Sequence, residues 1–524
     1  MIKDKEIQDI ELRDFHALRW EEPVIMEKSV PGERGVLVPP AEEAIVAEIG
    51  DGVSVLGDLR RKKAPALPEI AQSRLVRHYI RITAENLGSD NALKISDGTC
   101  TTKYNPKVQE HLASRHPGCT EVHPLQDEST MQGILQIMYE FEGILKAVSG
   151  MDKFSFQPGG GAHAVNSNSS IIRAYHRSRG DHRRTEIITS IHTHPCNAAT
   201  PALNGFKVIT LFPKENGLPS IEEFKAALSD RTAAFFFTNP EDTGIYNTHI
   251  KKFTDAAHAV GALCSYDQAN GNAVMGIARA REAGFDLCHF NLHKTFSAPH
   301  GGFGPGCGAQ GVRDFLAPFL PVPTVEFDGS KYYFDYDRPL SIGKVRSFYG
   351  NFPAVLKSWM WCRTLGPDGL KEASVIAVLN NQYLLKKILN NVPGVDLPWD
   401  DGQRRMEQTR FSFRKLKEET GCGIEDVNNR LVDYGIPEIW ESHHPLTVEE
   451  PFTPEPCESY SKDDLDYYCK ALATVAQECY DNPELFKGAP YKASKHQSLN
   501  AFAEEQDEVA TTWRQYTKKY LNKV

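Results

Sequence analysis

The 524-residue chain has no apolar run near the roughly 18–20 residues that a membrane-crossing helix needs. Its strongest apolar block, Ala233-Ala234-Phe235-Phe236-Phe237, is of strand length. There is no C-x-x-C pair. The 11 cysteines are scattered from Cys100 to Cys479, which excludes a disulfide framework or zinc ribbon built on paired spacings. They read as small hydrophobes in a reducing, cytoplasmic setting. Basic charge is not in excess either: 59 Lys and Arg stand against 69 Asp and Glu, a net charge of −10, which argues against a nucleic-acid partner. No internal repeat, low-complexity tract, G-x-S-x-G elbow or P-loop occurs. The start, Met1-Ile2-Lys3-Asp4-Lys5-Glu6, carries mixed charge and no apolar stretch of the kind a secretory leader has. His192/His194 and His443/His444 have no neighbouring Cys or carboxylate that completes a recognisable metal set, so no metal is expected.

What is present is globular. The hydrophobic fraction of 40% and charged fraction of 24% are average, and the length accommodates about two to four domains. The first hundred residues are irregular, with Val30-Pro31-Gly32 and Ala64-Pro65-Ala66-Leu67-Pro68 pointing to an extended arm. Met131, Ile134, Leu135, Met138, Phe141, Leu145 and Val148 recur at helical steps. Strand-type runs follow at Phe154–Phe156, Ile187–Ile191, Val208–Phe212, Ala233–Thr238, Ala262–Tyr266 and Leu287–Phe290, with helical stretches between several of them. One such stretch opens on Ser220 and Glu223, a capping-box spelling. This alternation predicts an α/β fold with a mainly parallel sheet, whose ligands bind at the carboxyl ends of its strands. After Pro353 the chain turns helical and charged, and its last thirty residues are polar enough to lie on the surface. The expected division is an N-terminal arm (1–105), a large domain (106–350) and a smaller C-terminal domain (351–524).

Two charge-poor stretches mark the chemistry. Leu287 to Val312 contains 26 residues and a single charged side chain, Lys294; Ala256 to Ala278 contains 23 and a single one, Asp267. Each follows a strand. A lysine in such surroundings pays desolvation for its ammonium form, and a free amine is what condensation with an aldehyde requires. An isolated carboxylate needs a cation, and the pyridinium nitrogen of pyridoxal phosphate (PLP) would supply one. An ordinary buried Lys294–Asp267 ion pair is the plainer alternative. Phe154-Ser155-Phe156-Gln157-Pro158-Gly159-Gly160-Gly161-Ala162-His163 spells strand, glycine tract and helix start, a cradle for phosphate or simply a tight turn. His194, after another strand, could lie on a pyridine ring or be a satisfied polar residue. Gly306-Cys307-Gly308-Ala309-Gln310-Gly311 matches G-x-G-x-x-G, but the proline-rich Ala317–Pro323 follows instead of a βαβ unit, so a dinucleotide site is rejected.

Phe290-Asn291-Leu292-His293-Lys294-Thr295-Phe296 with Pro299-His300-Gly301-Gly302-Phe303-Gly304-Pro305-Gly306 resembles the PLP-lysine segment of the glycine cleavage system P-protein family, glycine dehydrogenase (decarboxylating), in the second subunit of its two-chain form. Lys103–Lys107, His123–Gln126, Ile171–His176, Leu316–Pro321, Phe348–Phe352 and Leu416–Gly421 are similar to other family segments, and the likeness covers about residues 60 to 490. The resemblance implies a PLP-dependent transferase fold of type I: a large domain with a mostly parallel central sheet, an extended N-terminal arm and a smaller α+β C-terminal domain. It implies Lys294 as the lysine that holds PLP, Asp267 on the pyridine nitrogen, His194 stacked on the ring, and Gly160, Gly161 and Ala162 at the phosphate. Thr295 is a further phosphate candidate, with His163, His293, Asn270, Cys100 and Thr101 as pocket candidates. The implied activity is decarboxylation of glycine with transfer of the aminomethyl group to the lipoyl arm of H-protein, in an oligomer that includes a first subunit.

Departures from the family pattern cluster around the pocket. Gly159 and Gly160 stand for two alanines, Ala164-Val165 for Gly-Glu, Pro195-Cys196-Asn197-Ala198 for Gly-Thr-Asn-Pro, and Gln268 for the glycine after Asp267. Asp97–Thr102 departs as well, and Glu241-Asp242 adds charge after Asn239-Pro240. The added carboxylates and bulkier Gln268 keep open a stand-alone PLP decarboxylase, lyase or aminotransferase acting on a different amino acid. Retention of Lys294 weighs against a non-catalytic subunit.

Overall fold

A computed structural model describes residues 6–20, 22–36, 38–63, 65–95, 100, 103–300, 304–494 and 516–521. Thr101, the glycines at 301 and 302, and most of the polar last thirty residues lie outside them. The chain forms two compact units, Met1–Arg13 with Ser89–Lys487, and Asp14–Gly88 with Gly488–Val524.

The first unit is built on a seven-stranded sheet: β1 (Lys153–Ser155), β2 (Glu186–Ser190), β3 (Lys207–Leu211), β4 (Thr232–Thr238), β5 (Leu263–Gln268), β6 (Leu287–Asn291) and β7 (Gly308–Val312). Their order is β1-β7-β6-β5-β4-β2-β3. Strands β6, β5, β4, β2 and β3 are parallel neighbours, and β7 is antiparallel to both β6 and β1. The six strands expected from sequence are present, shifted by at most two residues at an end. The seventh was hidden because its glycines read as loop. They are needed there: Gly311 pairs with Phe154 of β1, and a Cβ on it would strike the Phe154 ring.

Strand β4 shows why the sheet needs cover on both faces. Phe235 and Phe237 point into one core with Phe141, Phe253, Tyr266 and Phe290, while Ala234 and Phe236 point into a second with Ile171, Ile172, Ile187 and Leu287. Each phenylalanine buried in this way contributes about 2–3 kcal/mol. The helix Gln132–Ser149 lays Ile134, Leu135, Met138, Phe141 and Leu145 into the first core and ends at Gly150, whose φ of 75° suits the left-handed turn. The helix Ile221–Ala227 starts at Ser220, whose Oγ accepts from the N–H groups of Glu222 and Glu223 at 3.1 and 3.4 Å. The reciprocal half of a capping box is not formed, since the Glu223 carboxylate pairs with Lys214. A third apolar cluster joins Phe411, Phe413, Phe452, Tyr468 and Leu472 with Leu384 and Ile388 of the long helix Phe352–Asn391.

The second unit carries the helix Gln72–Ala84, which the sequence reading had taken as irregular. A carboxylate organises it: Glu22 meets Arg81 at 2.8 Å, Lys28 at 3.0 Å and His78 at 3.3 Å, and the Arg81 hydrogen bond above all lowers Glu22 to about 2. Val55, Leu59 and Leu67 in this unit are almost wholly exposed. No helix among the described residues is long and apolar enough to cross a membrane.

The chain crosses from β3 over β2 to β4, so the loops leaving β2 and β4 flank the point where strand order reverses, where open α/β sheets bind ligands. Behind that edge, Gly350 adopts a φ of +115°, and a Cβ there would run into the carbonyl oxygen of Phe156, at the head of the glycine tract. Gly350→Ala is therefore expected to lower stability by about 2 kcal/mol or more. A thermal unfolding midpoint within a degree of the parent would show that this approach is not tight.

Candidate active site

Asp267 stands near the carboxyl end of β5, level with Thr238 on one side and His289 on the other. It is buried. Its Oδ2 accepts from Asn197 Nδ2 at 2.7 Å, and its Oδ1 accepts from the Ala269 N–H at 2.9 Å. His289 Nε2 lies 2.9 Å from Oδ1, a close polar contact too bent to count as a hydrogen bond. Burial alone would raise this carboxyl. The His289 imidazole, the Ala269 N–H and His194 outweigh it and hold Asp267 far below the usual carboxylate range. It is an anion at every working pH.

Lys294 lies three residues beyond the end of β6 in a tight turn, its N–H donating to Asn291 O at 3.1 Å. The side chain is 9% exposed. Among the described residues its ammonium makes no hydrogen bond or ion pair, so the ordinary ion pair with Asp267 does not form. Thr295 follows, its Oγ1 accepting from the Gly271 N–H at 2.8 Å, which ties the lysine turn to the turn after Asp267. Ser297 closes the lysine turn with a φ of +54°, held by its Oγ on Tyr104 O at 2.6 Å.

The glycine tract delivers the start of the helix Gly161–Ser178 to the same place. Its first intrahelical bond runs from the Ala164 N–H to Gly160 O, which leaves the N–H groups of Gly161, Ala162 and His163 ahead of it as open donors. A Cβ on Gly161 would come within 3.2 Å of Asn291 Nδ2 and 3.7 Å of Ala269, so this helix start faces the ends of β5 and β6. Gly160, by contrast, has an extended backbone (φ 161°) and, like Gly159, room for a Cβ. Alanine fits at both positions, so that departure from the family spelling alters nothing in the cradle.

His194 follows β2. Its Nδ1 accepts from the Cys196 N–H at 3.0 Å. Burial, then His443, lower it to about 4, so the ring is neutral at neutral pH. His293 sits beside Gly160, with Nδ1 3.3 Å from the Cys307 backbone and its ring 4.8 Å from His300; burial, then Lys294 and His300, lower it to about 3. His163 caps the glycine turn by accepting from the Gly159 N–H at 3.1 Å. Asn270 Nδ2 donates to Glu455 Oε1 at 2.6 Å. Cys100 is exposed, with no contact to these residues among those described, and Thr101 is outside them.

Sequence reading had missed His289, whose signal was its place beside Asp267 on the next parallel strand, and Arg346, whose guanidinium approaches Gly159 and donates to Gly306 O at 3.4 Å. The added carboxylates also take a different role from the one expected. Asp242 is clamped by Arg410, at 3.3 and 3.2 Å, and by His443 Nδ1 at 3.1 Å, and it stays ionised against its burial. Glu241 is fully buried, neither of its carboxyl oxygens is hydrogen-bonded, and burial followed by Asp242 raises it to about 8. Gln268, next to Asp267 along β5, is buried on the opposite face of the strand. None of the three brings a free charge or added bulk to the Asp267–Lys294 side. Elsewhere, His258, Cys264 and Asp286 bring ligand atoms within 4.8 Å of one another, but the His258 ring and the Cys264 N–H already share Asp286 Oδ2.

Residues 373–488 match a family model described as glycine dehydrogenase, C-terminal domain, and residues 156–318 one described as aminotransferase class-V. A protein of Thermococcus kodakarensis named probable glycine dehydrogenase (decarboxylating) subunit 2 is 43% identical over 96% of this chain and 98% of its own length. A protein of the same name from Caldanaerobacter subterraneus subsp. tengcongensis is 42% identical over 92% and 95%. Among solved structures, a glycine decarboxylase (P-protein) of the glycine cleavage system in inhibitor-bound form superposes with a TM-score of 0.70 at 20% identity, over 84% of this chain and all of that one. A NifS-like protein does so with a TM-score of 0.57 at 16% identity, over 74% and all. The chain shares its fold with these two proteins.

Glu241 also offers a test of the site's electrostatics. A carboxyl raised from 4.5 to about 8 by folding contributes stability that is present below about pH 4.5 and lost as the pH climbs toward 8. Glu241→Gln is thus expected to melt like the parent near pH 4.5 and several degrees higher at pH 8, a gap on the order of 4 kcal/mol. Equal midpoints at both pH values would mean that folding does not raise Glu241.

Proposed function

The chain belongs to the family of glycine dehydrogenase (decarboxylating) subunit 2, and from that membership and the site above we propose that it decarboxylates glycine with PLP and passes the aminomethyl group to the lipoyl arm of H-protein. The observation that carries this reading is that Asp267, held ionised, and Lys294, whose ammonium has no partner among the described residues, stand at the ends of neighbouring strands beside an open helix start.

These residues suit PLP. Lys294 would hold its aldehyde carbon, Asp267 its pyridine nitrogen, and the N–H groups of Gly161, Ala162 and His163 its phosphate, with His194 against the ring. Bound there, PLP supplies an electron sink for the pair released when the bond between Cα and the carboxylate breaks. Asp267 would keep a proton on that nitrogen, because its carboxylate is pinned by Asn197 and the Ala269 N–H. His194 is neutral and so adds no positive charge beside that nitrogen. Lys294 is a nearly buried amine whose Nζ has no partner among the described residues, and it could carry a proton there during the reaction. In the overall exchange CO₂ leaves, the aminomethyl carbon bonds one sulfur of the lipoyl disulfide, and the other sulfur departs as a thiol.

The partners are glycine, H-protein and a first subunit. The relatives' name marks them as second subunits. The features that favoured a different amino acid are buried and neutral (Glu241), buried and matched by Arg410 and His443 (Asp242), or turned to the other face (Gln268), so they support no second reading.

Exchange of labelled bicarbonate into the carboxyl carbon of glycine is expected from the chain with its companion subunit, and H-protein is expected to stimulate it. Rapid turnover of another amino acid without H-protein, and no exchange with glycine, would overturn the proposal. Lys294→Ala is expected to abolish borohydride-fixable attachment of PLP and the visible absorbance that goes with it; retention of that absorbance would move the attachment elsewhere.

A further inference from the structure

His194 has a single hydrogen bond among the described residues, from the Cys196 N–H to Nδ1, which fixes one atom of the ring but not its plane. A second imidazole meets it. The ring of His443 lies 4.5 Å from that of His194, centroid to centroid, at 68°, an edge-to-face contact. His443 is itself held on two further sides. Its Nδ1 lies 3.1 Å from Asp242 Oδ2, and because Asp242 is ionised the proton sits on Nδ1 and is donated. Its ring also packs against Trp440, at 4.9 Å and 72°.

The anchor continues behind it. Arg410 clamps Asp242, lies 5.6 Å over the Trp440 ring and donates from Nε to Thr453 Oγ1 at 3.2 Å; that hydroxyl in turn donates to Glu441 O at 2.9 Å. The line Arg410–Asp242–His443–His194 therefore joins the C-terminal part of the chain to the loops leaving β4 and β2, on either side of the point where strand order reverses.

We propose that His443 is a positioning residue: held by Asp242 and Trp440, it sets the plane of the His194 ring and thereby the face that His194 offers to the bound pyridine. The inference rests on the reading of His194 and Lys294 given above. His443 touches no reacting atom in it. Its effect passes through His194 and should appear in the cofactor's binding and in the asymmetry of its surroundings.

The test is titration of the full-length chain with PLP, read as dissociation constant and as visible circular dichroism of the bound chromophore, with far-UV dichroism as the check on folding. His443→Ala is expected to weaken PLP binding about three- to tenfold, the scale of one aromatic edge contact, and to diminish the visible dichroic band while the far-UV spectrum is unchanged. His443→Phe, which restores a ring edge without the Asp242 bond, is expected to recover part of both signals. His443→Asn, which offers a donor without a ring, is expected to recover neither. A folded His443→Ala protein with parental affinity and dichroism would overturn the inference and leave the site reading intact, as would rescue by Asn equal to that by Phe. A parent chain that takes up no PLP would overturn the site reading and this inference with it.

Discussion

The structure turns on keeping one carboxylate ionised inside a protein. Moving an ion out of water costs several kcal/mol even after relaxation, and a single ordinary hydrogen bond does not offset that. Asp267 meets the demand by standing where three loops and strands converge: Asn197 comes from the segment after β2, the Ala269 N–H from its own turn, and His289 from the neighbouring strand. That convergence requires β5 and β6 to be parallel and in the register that sets Asp267 beside His289. It requires the chain after β2 to turn back over the sheet edge. Once these are fixed, the turn carrying Lys294 lies one strand away, and Thr295 locks it to the turn after Asp267. The arrangement of the site follows from satisfying the anion.

Charges in the rest of the interior obey the same constraint in different ways. Asp242 is ionised and fully matched by Arg410 and His443. Glu241, beside it, has no cation to share and is driven neutral by burial and by its charged neighbour. Glu407 is raised by burial and then by Glu455, so two adjacent carboxyl groups do not both ionise. Among the described residues, the interior anion aimed at the proposed pyridine position is Asp267, and the nearby imidazoles of His194 and His293 are neutral at neutral pH. A cationic ring nitrogen placed there meets one strong counter-charge and no competing cation on either histidine, which is the condition for holding a proton on that nitrogen.

Much of this was legible in the sequence, for identifiable reasons. Lys294 and Asp267 stood out because a lone charge in a long uncharged stretch has to be functional or carefully matched. The parallel strands were visible as apolar runs at regular separation. Strand β7 was not, because Gly308 and Gly311 imitate a loop, and only the approach of Pro158 and Phe154 shows why glycine is required there. His289 was invisible as a partner because its relation to Asp267 is lateral across strands, where one-dimensional spacing carries no information. The helix Gln72–Ala84 was masked by its charged residues and by the prolines around it, which gave the whole region the look of an irregular arm.

The departures from the family spelling make the most instructive case, because proximity in sequence to a catalytic residue does not say which way a side chain faces. Gln268 adjoins Asp267 in the chain, yet strand alternation turns it to the other side of the sheet. Gly159 and Gly160 look like a loosened phosphate turn, but both have room for the alanine they replace. Glu241 and Asp242 look like charge added to a substrate pocket, but one is neutral and the other is consumed in a clamp on Arg410 and His443. A change of substrate would need new free charge or new volume on the side of β5 and β6 that Asp267 and Lys294 share. These substitutions supply neither.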